Sequence, residues 1–189
     1  CGGNFIFDNL PLQEIARQLS HAFQVKIKIT NTYLRSFRIR AHFTHNEGLE
    51  EILHLLQEAG NFNYTKTNDT IIMRHFLYSS PFHTCLTTLL WMILCVTSLY
   101  AQDKEAQLDF SIQQATLDKF VKQMEVVSGF SFIYGEKVKL KTPITIDARR
   151  LTVSQILDKA FKDEAITFEI SGKHILLQKR PELRKSSGQ

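Results

Sequence analysis

The chain repeats itself in register. Leu12, Ile15 and Leu19 recur as Leu117, Phe120 and Met124, and Val25 and Ile27 recur as Phe130 and Phe132, every pair 105 residues apart. Further on the spacing is 104, with Ile52 matching Ile156, Leu53 Leu157, Tyr64 Phe168 and Ile71 Ile175. One single-residue indel therefore aligns two units of about 70 residues each. Since the register holds through helical and extended stretches alike, whatever fold the first unit takes the second must take too.

Periodicity supplies that fold. Leu12, Ile15, Ala16, Leu19 and Phe23 follow helical spacing, as do Leu117, Phe120, Val121, Met124 and Val127. Pro11 suits the first helical turn. Phe5 and Phe7 read as a short strand that ends at Asp8-Asn9, matched by Leu108, Phe110 and Ile112. Residues 24–30 (QVKIKIT) alternate, with Val25, Ile27 and Ile29 on one face and Lys26 and Lys28 on the other. Arg38 to Phe43 and Thr142 to Ala148 alternate in the same way. A second amphipathic helix follows in each unit, and a hairpin closes it, turning at Asn68-Asp69 and at Ser171-Gly172. The expected class is α+β: two copies of a β-α-β, β-α-β-β domain whose two helices pack with small sheets, joined by an apolar signal-like helix.

That joining segment, Phe76 to Tyr100, contains no Asp, Glu, Lys or Arg. Its densest part, Leu86 to Leu99, has the length of a signal-peptide core and falls short of the roughly 20 apolar residues that span a bilayer. Met73-Arg74-His75 precedes it as an initiator and weakly basic leader, and a cleavage site lies between Ala101 and Gln102. The whole window is long enough for an uncleaved anchor, which stays open as the second reading. Either reading places the chain in the cell envelope. The expected parts are 1–73, a first domain; 74–101, signal peptide or anchor; 102–180, a second domain; and 181–189, a linker.

Composition excludes more than it assigns. With 43% hydrophobic and 22% charged residues the chain is ordinary globular protein. The net charge of +4 is dispersed, and its densest cluster (Lys179, Arg180, Arg184, Lys185) lies in the tail without a groove-reading motif, so nucleic acid is not an expected partner. Cys1, Cys85 and Cys95 form no CxxC pair or disulfide framework.

From Leu108 to Lys179 the pattern LDFSIQQATLDKFVKQMEVVSGFSFIY, TPITIDARRLTVSQILDKAF and ITFEISGKHILLQK resembles the secretin and TonB short N-terminal (STN) domain. With the signal-like segment before it, it is similar to the start of SusC-type TonB-dependent outer-membrane transducers. The first unit, FIFDNLPLQEIARQLSHAFQVKIKI with FRIRAHFTHNEGLEEILHLL, resembles the C-terminal domain of FecR-type anti-sigma regulators. The resemblance implies a non-enzymatic role: a periplasmic protein–protein module relaying signals between a TonB-dependent transducer and an anti-sigma regulator. The alternative is the N-terminal domain of a secretin-like secretion channel. The partners implied are domains of those two protein types, each other among them, and the membrane if the apolar segment is retained. Both domains belong on one side of a membrane, so the chain reads as the tail of one gene product fused to the head of its neighbour, with Met73 the start of the second.

No catalytic constellation, cofactor site or metal site emerges. His42, His45 and His54 lack a cysteine partner and sit where solvated histidines are common. Glu50-Glu51 and Asp163-Glu164 read as solvated carboxylates, and Gly2-Gly3 forms no phosphate loop. The candidate partner-binding residues lie on strand edges, where unpaired backbone groups accept another strand: Arg38, Ile39 and Arg40 in the first unit, and Thr142, Ile144, Thr145 and Arg149 in the second. An equally open reading makes these strands interior pairing partners.

Overall fold

The computed structural model describes residues 4–44, 47–75 and 106–180. The apolar segment, the cleavage site at Ala101 and Gln102, His45 and the tail lie outside the described residues. Among those described, no helix is long and apolar enough to cross a membrane.

The first unit runs β1 (Phe5–Pro11), α1 (Leu12–Phe23), β2 (Lys26–Ile29), α2 (Thr32–Ser36), β3 (Arg38–Phe43), α3 (Leu49–Gly60), β4 (Phe62–Thr67) and β5 (Thr70–His75). The second runs β6 (Leu108–Ala115), α4 (Leu117–Ser128), β7 (Ser131–Gly135), β8 (Ile144–Leu151), α5 (Val153–Phe161), β9 (Ile166–Ser171) and β10 (His174–Lys179). The class is α+β, and the two units share a topology. Strands β1 and β3 pair antiparallel, as do β6 and β8. Strand β5 lies between parallel β2 and antiparallel β4, just as β10 lies between parallel β7 and antiparallel β9.

Local chemistry explains the boundaries. Helix α1 buries Leu12, Ile15, Ala16 and Leu19 and ends at Gln24 in the left-handed region (φ 54°), where Gly129 (φ 74°) ends α4. Thr116 caps α4, and Thr152 with Gln155 forms a capping box at α5.

Four expectations need correction. Strand β1 does not stop at Asp8-Asn9: Asn9 adopts φ 54°, the register shifts between Phe7 and Leu10, and pairing resumes to Pro11. Gln114 repeats this bulge in β6 at φ 48°. Pro11 therefore precedes α1 as its extended cap residue and is not inside the first turn. The short helix α2, capped by the Asn31 side chain, is unannounced by any periodic pattern, since five residues are too few to carry one. The second hairpin turns at Gly172 and Lys173, because Ser171 still pairs with His174.

The units are not independent. One five-stranded sheet, in the order β1-β3-β7-β10-β9, crosses from the first into the second. On one face Phe7, Ile39, Ala41, Phe43, Ile133 and Leu176 join the core that contains α1 and α3. On the other, Phe132, Ile175 and Leu177 join the core around Phe120, Met124, Ile156 and Leu157 of α4 and α5.

Candidate docking interface between the two units

The sheet becomes continuous where β3 meets β7 in antiparallel register, Ile39 opposite Gly135 and Arg40 opposite Tyr134. The Glu136 amide donates to the Arg38 carbonyl at 2.9 Å, and the Arg38 amide donates to the Glu136 carboxylate at 3.2 Å. Helix α3 then lies across β7 and β10. Gly135 makes this approach possible: a Cβ there would stand 2.6 Å from the Phe37 ring and 2.7 Å from the Ala59 carbonyl oxygen.

Alternation aims Arg38, Arg40 and His42 away from the first unit's own core. On that face Glu125 of α4, from the second unit, meets Arg40 and His42, while Arg38 stays exposed. Arg40 is only 4% exposed and donates to both oxygens of Glu125 at 2.9 Å, a bidentate pair between the units. Its Nε finds no hydrogen bond among the described residues and sits 3.8 Å from both Asp8 and Asp118. The guanidinium also lies 5.9 Å from the centre of the Tyr134 ring. Burial works against charge on Arg40 and Glu125, but their mutual hydrogen bonds prevail: the guanidinium pKa is raised and the carboxyl pKa lowered from their ordinary values. The Phe132 amide, donating to Glu125 at 3.0 Å, helps hold the carboxylate. Burial pushes the Tyr134 hydroxyl up to about 12 and the His42 imidazole down from 6.5.

A second polar contact crosses at the far end of β10. His174, 4% exposed, meets Glu47 at 2.8 Å and packs its ring 5.6 Å from that of Phe43. Near the opposite margin Lys137 rests over Tyr33 and Phe37, at 5.5 and 5.7 Å from the ring centres. These contacts join surfaces; they supply no nucleophile–base pair. Among the described residues no group of three or more His, Cys, Asp or Glu side chains is placed to hold a metal ion.

Arg38, Ile39 and Arg40 thus lie on the strand that joins the units. Thr142, Ile144, Thr145 and Arg149 do not gather there. The Thr142 amide and hydroxyl both donate to Glu164, Ile144 is buried against the second core, and Thr145 accepts from the Gln114 amide. Arg149 is exposed on β8, whose pairing partner is β6. Glu164 is not solvated: at 5% exposed it binds the Lys141 and Thr142 amides, which lower its pKa against the opposing effect of burial. Sequence reasoning missed Glu47, Glu125, Gly135 and His174. The signal available was the mismatch between repeats, Ile133 standing where the first unit has Lys28.

Residues 4–73 match the family model described as FecR, C-terminal, and residues 130–180 match that described as Secretin and TonB N terminus short domain. The chain carries a FecR C-terminal domain followed by an STN domain. The stretch of the STN domain that matches begins one residue before β7, the strand that meets the FecR domain. Both families belong to cell-envelope signalling proteins and work through protein–protein contacts. No curated protein matches this chain. A solved structure described as a "putative anti-sigma factor" from Parabacteroides distasonis is similar over 40% of this chain at 18% identity with a TM-score of 0.37. The match covers 35% of that structure's chain.

Proposed function

We propose that this chain is a periplasmic relay module in which a FecR-type regulator domain holds the STN domain of a TonB-dependent transducer by sheet augmentation. The observation that carries the reading is the junction of β3 with β7, sealed by the buried Arg40–Glu125 pair. Occupancy at the outer membrane would be passed on as a change in how much of the STN edge is available to the regulator. The module binds and does not turn over substrate. Its parts are 1–73, 74–101, 102–180 and 181–189, with cleavage after Ala101. Met73 is fully buried in β5, so a second reading frame that starts there overlaps the last strand of the FecR domain.

The direct test uses the full chain with a protease site placed within residues 76–105. After cutting, the two halves are expected to co-elute in size-exclusion chromatography; halves that separate at once would refute the docking. N-terminal sequencing from cells is expected to find Gln102 as a mature terminus. An intact cellular peptide crossing Phe76 to Tyr100 would remove the fusion reading.

A further inference from the structure

The duplication lets each docking residue be compared with its counterpart in the other unit. Ile133 on the accepting face corresponds to Lys28, Gly135 to Thr30 and Glu125 to Ser20. On the docking side Arg40 corresponds to Thr145 and Leu55 of α3 to Lys159 of α5. Leu55 and Ile133 are buried in one core, whereas Lys28, Thr30 and Lys159 are exposed. The backbone equivalence is firm, because Ile29 pairs with Met73 just as Tyr134 pairs with Leu177.

Three other arrangements would be open to units sharing one backbone, and each meets a physical obstacle. A FecR domain docking on the FecR domain of a second copy would bury Arg40 against Ser20, leaving a guanidinium with no carboxylate, and would set Thr30 where only a glycine fits. An STN domain docking on another STN domain would leave Glu125 facing Thr145 and press Lys159 on Ile133. An STN domain docking on a FecR domain would bring Lys159 to Lys28. Unpaired buried charge and like-charge contact each cost enough to reject a partner.

Resting on the docking reading above, we propose that recognition runs one way, FecR domain onto STN domain, and that the Arg40–Glu125 pair selects the partner while Lys28, Thr30 and Lys159 exclude self-docking.

The test uses the full chain with the cleavable segment. Arg40→Glu and Glu125→Arg should each weaken retention of the halves on the order of 100-fold or more, and the double reversal should recover at least about tenfold of that loss. Wild-type halves that stay together while both reversals do so equally well, or a double variant no better than either single, would overturn the assignment to this pair. Wild-type halves that fall apart would instead overturn the docking itself. A redirected chain gives a gain-of-function arm. With Glu125→Arg alone, sedimentation should report a monomer. Adding Ser20→Glu, Lys28→Ile and Thr30→Gly moves the accepting chemistry onto the FecR domain and should produce concentration-dependent head-to-tail assembly. A redirected chain that stays monomeric, or a Glu125→Arg chain that already assembles, would remove the exclusion role.

Discussion

Ser20 and Glu125 occupy the same place in the two units, and each accepts a hydrogen bond from the strand amide seven residues on: Ile27 to Ser20 at 3.3 Å, Phe132 to Glu125 at 3.0 Å. Serine ends there. The longer glutamate also reaches Arg40 of the other domain. A residue that anchors a strand in one copy has become, in the other, a strand anchor and a docking group together.

Arg40→Met should therefore cost about 3–5 kcal/mol, since it leaves Glu125 largely buried without its counter-charge. Arg40→Met combined with Glu125→Gln should regain more than half, because the glutamine oxygen still accepts from Phe132. Equilibrium urea unfolding of the full chain measures both, and a double variant as unstable as the single would contradict the pairing.

At Gly135 the added methyl of Gly135→Ala would meet the Phe37 ring and the Ala59 carbonyl. Overpacking of this kind costs about 1–3 kcal/mol. The local readout is the Glu136 amide, which bonds to the Arg38 carbonyl across the junction and should exchange its hydrogen faster. Unchanged protection there would show that the strands do not meet at this point.

Acid should loosen the interface in two stages. Burial holds the His42 pKa below 6.5, so the folded form takes up its proton later than the unfolded chain and stability declines as pH falls below that value. The Glu125 pKa is lowered from 4.5, so its contribution is complete above 4.5 and is lost as pH drops through the depressed value. Urea midpoints followed across this range should fall in both stages. Glu125→Gln should shrink the lower one, leaving the part that Glu164 contributes, and a lower stage unchanged by that substitution would contradict the assignment.

Glu164→Ala should release the Lys141 and Thr142 amides at a cost of about 1–3 kcal/mol. Faster hydrogen exchange at those two amides, with the exchange of β10 unchanged, is the expected pattern.

The helices and strand faces of both units were legible because apolar spacing reports directly on which side of an element meets a core. The bulges at Asn9 and Gln114 were not, since a turn-favouring residue inside a strand looks like the strand's end. Glu164 was misread for a related reason: its partners lie 22 and 23 residues away, beyond any local pattern. Alternation correctly turned Arg40 away from its own core, yet could not reveal that α4 covers it from outside. Long-range strand pairing leaves little local trace. The contrast between Lys28 and Ile133, two residues at one backbone position, betrays which copy's sheet faces protein on both sides.

That contrast has a consequence for tolerance to change. Strands β7 and β10 present Ile133 and Leu176 to one core and Phe132, Ile175 and Leu177 to the other. Any side chain resized there must satisfy two packings simultaneously, while the outward residues of β2, such as Lys26 and Lys28, answer only to water. A saturation mutagenesis scan should accordingly find β7 and β10 the least forgiving strands of the chain, with substitutions in one domain registering as strain in its neighbour.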